Sequence, residues 1–340
     1  MIHYDTSYFL LNNEILNFFQ GNIEIHPIYT GGSARKYFRL IDEITKQSFI
    51  YCVYTDLTEL ERFIHITNLL KKNINNIQNI LFYNYQNKAI LLQDLGNFSV
   101  FDFYHQNIKT NRAAVFTLYQ NIIDLLIKMQ TACSDEFKNI YPQRIFDKSV
   151  YLWETDYFKN MVLDKYLNAQ YNNNFLLKAF QQIADFLAEQ KYDFFLHRDF
   201  QSQNILIFNN DIYFIDYQTA YCGSNFYDVA SLLFDPYINA DIDFQKTLYE
   251  YYKKKFSKNA KYKINDFDKR YELTILQRLM QANAAYVKLG IIENKPFFKN
   301  YINSALSKIA ELILNSKYID DYLKHLFQNL KKDGKILCAE

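Results

Sequence analysis

The residues in this 340-residue chain best able to do chemistry lie in LHRDFQSQNILIFNNDIYFIDYQ, residues 196–218. This stretch sets His197, Asp199 and Asn204 at His-x-Asp-x-x-x-x-Asn spacing, then runs through two short apolar segments to Asp216. Residues 205–208 and 212–215 flank Asn209-Asn210-Asp211, a turn-rich triplet suited to a hairpin. A three-residue loop sets Asn204 directly opposite Asp216. A two-residue loop moves the pairing by one position and still keeps the two side-chain oxygens near each other. A carboxylate and an amide oxygen thus converge at one end of the hairpin. Hard divalent cations such as Mg²⁺ take oxygen ligands of this kind, shared with phosphate. Asp199, in the loop entering the hairpin, is placed to accept a hydrogen bond from a substrate hydroxyl and aim it at a metal-bound phosphate. Base and orienter merge in one group here, because a loose phosphoryl-transfer transition state draws mainly on positioning and charge neutralisation.

The elements that must position these groups are legible from periodicity. Strand-like runs at 24–28, 37–41 and 49–54 precede a helix over 57–72, whose apolar positions are Leu60, Phe63, Ile64, Ile66, Leu69 and Leu70. Further strands at 80–85 and 89–93 complete a small antiparallel sheet. Ser99 then reads as the N-cap of a helix over 100–105. Helices come next at 112–131, 151–167 and 175–190, the β interruption lies at 205–216, and helices run to the end. Strands first and helices later, with a hinge near residues 93–96, predict an α+β protein of two lobes. The expected boundaries are 1–95 for a small antiparallel-sheet lobe and 96–340 for a larger, mostly helical one.

With these motifs in place, the sequence resembles the eukaryotic-like kinase superfamily, whose catalytic loop reads H-R-D-x-x-x-x-N and whose second metal Asp lies on the next strand. The resemblance implies a protein-kinase-like fold, Asp199 as catalytic aspartate, and Asn204 and Asp216 as Mg²⁺ ligands. Asp216 sits in Ile-Asp-Tyr-Gln rather than Asp-Phe-Gly, which is similar to the aminoglycoside phosphotransferase and choline kinase branch. Residues 227–235 resemble that branch's next helix, where Asp228 would brace the catalytic loop through its backbone or His197. Within the branch the likeness is strongest to bacterial anomeric kinases for N-acetylmuramate and N-acetylglucosamine, which serve cell-wall recycling. It rests on Gly32-Ser33-Ala34-Arg35-Lys36-Tyr37-Phe38-Arg39-Leu40, Leu91-Leu92-Gln93-Asp94-Leu95-Gly96, His197-Arg198-Asp199-Phe200 with Asn204, and 227–235.

The same resemblance implies ATP as phosphoryl donor and Mg²⁺ as its companion. Gly31, Gly32, Ser33 and Ala34 would cradle phosphates through backbone amides, and Gln93 and Leu95 would meet the adenine at the hinge. The strand Lys that reaches ATP phosphates in such kinases is missing from SFIYCVY, residues 48–54. Arg35, Lys36 or Arg39 is expected to replace it, with Glu59 or Glu61 as the acidic partner on the helix. Glu154 and Asp235 resemble positions lining the acceptor pocket. Arg198 would either neutralise a sugar carboxylate or pair with a structural acid. Only a dozen positions separate Asp216 from Asp228, too few for the activation segment that holds a peptide, so the expected acceptor is a small sugar or amino alcohol. The competing expectations are a kinase for choline, homoserine or an aminoglycoside, and a catalytically silent nucleotide-binding pseudokinase.

Composition excludes other classes. The formal net charge is +1, from 38 Lys and Arg against 37 Asp and Glu, so neither nucleic acid nor a membrane surface is an expected partner. A protein partner is left open. Cys52, Cys133, Cys222 and Cys338 lie far apart, without metal or redox spacing, and are expected as reduced thiols of a cytoplasmic protein. The N-terminus carries no signal-peptide pattern, and no apolar run is long enough to span a bilayer. The 30 Tyr and 30 Phe are spread along the whole chain, which fits a biased composition better than an aromatic binding surface.

Overall fold

The computed structural model describes residues 13–28 and 34–336. Its elements run α1 (Asn13–Leu16), β1 (Ile23–Ile28), β2 (Lys36–Asp42), β3 (Ser48–Val53), α2 (Leu57–Lys71), β4 (Ile80–Asn84), β5 (Ala89–Gln93), α3 (Val100–Asn107), α4 (Arg112–Ile140), α5 (Lys148–Phe158) and α6 (Asn173–Ala188). After these come β6 (Phe194–Leu196), β7 (Ile205–Phe208), β8 (Asp211–Phe214), β9 (Tyr221–Gly223), α7 (Asn225–Leu233), α8 (Ile242–Phe256), α9 (Phe267–Val287), α10 (Pro296–Asn315) and α11 (Asp321–Lys332). Two compact units emerge: Met1–Phe98 with Leu206–Gln218, and Ser99–Ile205 with Thr219–Glu340.

The first unit is built on an antiparallel five-stranded sheet in the order β1-β2-β3-β5-β4. Register aligns Phe38 with Tyr51 and Tyr51 with Leu91, so alternate side chains of three strands form one apolar row. Ile15, Leu40 and Ala89 extend that row into a core, flanked by Phe18, Phe19, Phe49 and Phe82. Burying each large apolar side chain there stabilises the sheet by roughly 1.5–3 kcal/mol. The β7–β8 hairpin belongs to this unit from Leu206 onward. Its loop is two residues, Asn209 and Asn210, both at positive φ (51° and 65°), and Asp211 already opens β8. Asn tolerates that left-handed backbone, which suits a tight hairpin. The hairpin is fastened by Phe214 N–H to the Asn76 carbonyl (3.0 Å) and by Asn76 Nδ2 to the Ile212 carbonyl (2.7 Å).

The second unit is mainly helical. α3 starts in a full capping box, with the Ser99 hydroxyl accepting from Asp102 N–H and the Asp102 carboxylate accepting from Ser99 N–H. α4 extends to Ile140, past the end expected at 131, because Cys133 and Phe137 continue its buried stripe. The expected helix over 151–167 is α5, capped by Asp147, running on into widened π-type turns at Lys159–Tyr166. α9 packs against α5, α7 and α10 and buries most of its surface, polar Gln277 and Arg278 included. Two three-residue strands carry no sequence signal: β6 pairs antiparallel with β9, Phe195 facing Cys222. Gly223 ends β9 where a Cβ would lie 2.7 Å from Phe146 Cβ, so the close approach there requires glycine. Among the described residues, Cys52, Cys133 and Cys222 are buried and form no disulfide, and no helix is long and apolar enough to cross a membrane.

Candidate active site

Strand β6 delivers His197, Arg198 and Asp199 in sequence, and α7 holds the start of this loop in place. Asp228, wholly buried on α7, accepts the backbone N–H of His197 (2.8 Å) and of Arg198 (2.9 Å). Both hydrogen bonds run to the backbone and not to the His197 ring. Burial pushes the Asp228 carboxyl up to about 7, against the pull of those two amides. Arg198 itself sits at φ 78°, a left-handed conformation rare outside glycine, directly before Asp199. Asp199 Oδ2 accepts from the Thr219 hydroxyl (2.9 Å), and its backbone carbonyl accepts from Asn204 Nδ2 (2.8 Å). Among the described residues, Asp199 Oδ1 and Asn204 Oδ1 accept no hydrogen bond.

A buried ionic network surrounds this loop. The Arg198 guanidinium lies 3.8 Å from Glu154, with its carbon 5.2 Å from the Tyr221 ring centre and 6.0 Å from that of Trp153. Glu154 has no solvent exposure, and it accepts from the Tyr227 hydroxyl (2.7 Å) and Gln277 Nε2 (3.1 Å). Burial raises its pKa, and Arg198 opposes the rise. Asp235 is likewise buried and accepts the N–H and hydroxyl of Ser202 (2.8 and 2.6 Å) and the Tyr237 N–H (2.9 Å). Burial raises this pKa too. Both carboxylates are thus engaged by the protein itself. Arg278 stands among them, donating to Ser231 Oγ (2.9 Å). Burial would lower its pKa, but Tyr227 and Asp199 hold it above the usual value.

In the first unit, Asp216 adopts φ 66° and carries two hydrogen bonds, both on Oδ1: from Arg35 (3.0 Å) and from Gln218 Nε2 (2.9 Å). Its Oδ2 accepts none among the described residues. Arg35 also reaches Glu59 on α2 (Nε to Oε1, 3.6 Å), with only 9% of its side chain exposed. Of the three cations offered by the sequence, Arg35 is the one joined to the helix acid and to Asp216. Arg39 is instead clamped by Asp94 (2.5 and 3.0 Å) and Asn97 (2.8 Å), while Lys36 is exposed. At the hinge, Gln93 uses both backbone groups, donating to the Asn79 carbonyl and accepting from Gln78 Nε2. Leu95 makes no backbone hydrogen bond among the described residues. Ala34 is exposed before β2; Gly31, Gly32 and Ser33 lie outside the described residues.

A family model described as "Phosphotransferase enzyme family" matches residues 24–268, well over half of the chain. The chain belongs to the phosphotransferase enzyme family. An N-acetylmuramate/N-acetylglucosamine kinase from Pseudomonas aeruginosa is 22% identical over 303 residues, covering 85% of this chain and 86% of that protein. Among solved structures, Plasmodium vivax ethanolamine kinase superposes with a TM-score of 0.59 at 14% identity, covering 90% of this chain and 86% of that one. A thermostable mutant of aminoglycoside phosphotransferase APH(4)-Ia, in ternary complex with ADP and hygromycin B, gives 0.53 at 13% identity, covering 87% and 97%. The fold is the protein-kinase-like α+β arrangement expected from the sequence: an antiparallel sheet in the first unit and helices in the second.

The sequence motifs point to most polar groups around residues 197–204 but miss four. Thr219 and Gln218, which hold Asp199 and Asp216, directly succeed the motif and are readable as polar residues beside a carboxylate. Ser202, inside the motif, holds Asp235 and reads in sequence only as spacing. Arg278 has one signal, a cation inside the apolar run LQRLM, residues 276–280.

Proposed function

We propose that this phosphotransferase moves the γ-phosphoryl group of ATP to the anomeric hydroxyl of an N-acetylated amino sugar, N-acetylglucosamine or N-acetylmuramate. The observation that carries the acceptor class is the near end-to-end alignment with an amino-sugar kinase. The chemistry rests on the groups around the catalytic loop. Asp199, held by Thr219 on one oxygen, offers the other to the acceptor hydroxyl, orients it and takes its proton as the bond to phosphorus forms. Arg35 supplies the positive charge that the third strand lacks, and its tie to Glu59 fixes its direction. Leu95 presents an uncommitted backbone edge for the adenine.

Asp216 Oδ2 and Asn204 Oδ1, neither hydrogen-bonded among the described residues, are each a hard oxygen donor of the kind Mg²⁺ takes. Among the described residues no cluster of three or more His, Cys, Asp or Glu could hold a metal. The ion would therefore share its coordination with phosphate oxygens and water, and when bound it would neutralise phosphate charge. Glu154 and Asp235, buried and internally bonded, act in this reading from behind: Glu154 sets the Arg198 guanidinium and Asp235 sets Ser202. The eleven residues between Asp216 and Asp228 hold only a turn, β9 and the start of α7, which supports a small acceptor rather than a peptide.

The test is ³¹P NMR of the product formed from Mg-ATP and N-acetylglucosamine labelled with ¹³C at the anomeric carbon. A phosphorus signal split by that carbon is expected. An unsplit phosphomonoester would place transfer on another hydroxyl, and turnover confined to ethanolamine or choline would reject the amino-sugar reading.

A further inference from the structure

Arg144 lies in the irregular stretch between α4 and α5, outside every motif of residues 196–218, yet it grips the residues that follow them. Its guanidinium donates from Nε to the Ala220 carbonyl (2.7 Å) and from Nη2 to the Thr219 carbonyl (3.0 Å). Its own carbonyl accepts from Cys222 N–H (2.8 Å), and Phe146 N–H donates to the Cys222 carbonyl (2.7 Å). Residues 144–146 thus run as a short parallel edge beside β9, with Ile145 paired to Cys222. The guanidinium carbon also lies 4.3 Å from the centre of the Tyr221 ring. Arg144 therefore touches every residue from Thr219 to Cys222 in turn.

The base from which Arg144 reaches is itself fixed. Phe146 is buried and packs on the rings of Tyr151, Tyr221 and Tyr227, while Asp147 caps α5 through the Ser149 and Val150 N–H groups. A planar guanidinium that donates through two nitrogens fixes orientation as a single bond does not. The held carbonyls set the two peptide planes that follow Thr219, and with them the direction of its Cα–Cβ bond. Threonine is β-branched and stiff at χ1, so a fixed backbone means a fixed hydroxyl. That hydroxyl donates to Asp199 Oδ2 (2.9 Å). Tyr221 makes a second link, because its ring centre lies 5.2 Å from the guanidinium carbon of Arg198, the residue before Asp199.

We propose that Arg144 is a positioning residue for phosphoryl transfer, acting through Thr219 to aim the Asp199 carboxylate. The role rests on the reading of Asp199 as the group that orients the acceptor hydroxyl. A carboxylate turns broadly about χ2 unless one of its oxygens is held. Thr219 holds Oδ2, Arg144 holds Thr219, and Oδ1 is left facing the acceptor. Alignment is what a loose phosphoryl-transfer transition state draws on most, so slack in this linkage slows transfer without weakening binding.

The test is the single-turnover rate of transfer from Mg-ATP, measured below each variant's melting temperature. The acceptor is whichever of N-acetylglucosamine, N-acetylmuramate, ethanolamine or choline gives turnover. Thr219→Val, similar in shape but without the hydroxyl, should transfer about tenfold more slowly, with ATP and acceptor affinities within about twofold of wild type. Thr219→Ser should recover most of the rate. Arg144→Met should slow transfer by a similar factor, and Arg144→Lys, which lacks the planar fork, by several-fold. Combining Arg144→Met with Thr219→Val should be little slower than the slower single variant, because both break one linkage. A purely structural arginine would lower the melting temperature and spare the rate, or its effect would multiply with that of Thr219→Val. Either result overturns the proposal, as does an unchanged rate in Thr219→Val; if Arg144→Met does not fold, Arg144→Lys decides. Asp199→Ala separates the two levels. If it is inactive while the Arg144 and Thr219 variants keep wild-type rates, only the linkage fails. If it transfers at the wild-type rate, the reading of Asp199 falls and the linkage with it.

Discussion

At the scale of single residues, Asp228 and Arg35 show how burial fixes a role. Asp228 receives two backbone amides where no water reaches it, and its folded pKa lies near 7 against an ordinary value of 3.8. A folded pKa above the unfolded one means that the folded chain holds a proton the unfolded chain has lost. Stability from this group therefore falls as pH rises from about 4 to about 7. Asp228→Asn should flatten that part of the melting temperature against pH, and parallel curves for the two proteins would contradict the assignment. Arg35 and Arg39 lie four positions apart, and the sequence offers both as substitutes for the missing Lys. Their partners separate them, because Arg35 joins Glu59 and Asp216 while Arg39 closes on Asp94. Arg35→Ala is expected to lower kcat/KM for ATP on the order of a hundredfold, and Arg39→Ala far less. Steady-state kinetics showing Arg39 to be the costlier loss would reverse the assignment. No periodicity distinguishes the two, since an even spacing along an extended chain favours neither and only tertiary partners decide.

At the scale of elements, the segment proposed as catalytic, residues 196–218, depends on two short β pairings of very different legibility. The β7–β8 hairpin is readable from its Asn-Asn turn and flanking apolar runs; its two-residue loop follows from both Asn residues tolerating positive φ. Asn210→Val should destabilise the protein by about 1–2 kcal/mol through left-handed strain, whereas Asn210→Gly should be near neutral in thermal melts. The β6–β9 pair is not readable, since three residues are too few to show a period and their pairing partners lie far along the chain. Gly223 closes that pair against Phe146. Gly223→Ala should cost about 1–3 kcal/mol of stability by overpacking, and an unchanged denaturation midpoint would show that Phe146 can yield. The long helices α4 and α5 are legible in place but not in extent. Their apolar stripes either continue past polar residues or pass into π-type turns that retain helical periodicity.

At the scale of the whole molecule, order along the chain is the most informative feature. Strands followed by helices, with one polar motif set on a late hairpin, suffice for the α+β class and for the family. The acceptor is much less legible, because the carboxylates nearest in motif space, Glu154 and Asp235, are committed to internal hydrogen bonds. Arg144 is invisible in sequence, since a lone arginine in an irregular stretch carries no period and the carbonyls it holds lie 75 and 76 positions away. The central claim is that Asp199 orients an amino-sugar hydroxyl for phosphoryl transfer. Its most direct test is ADP release from Mg-ATP with N-acetylglucosamine or N-acetylmuramate, comparing wild type with Asp199→Ala alongside nucleotide affinity. Acceptor-dependent turnover in wild type, lost by roughly a thousandfold or more in the variant while ATP still binds, is the predicted result. Acceptor-dependent turnover that survives in a folded Asp199→Ala protein would contradict it.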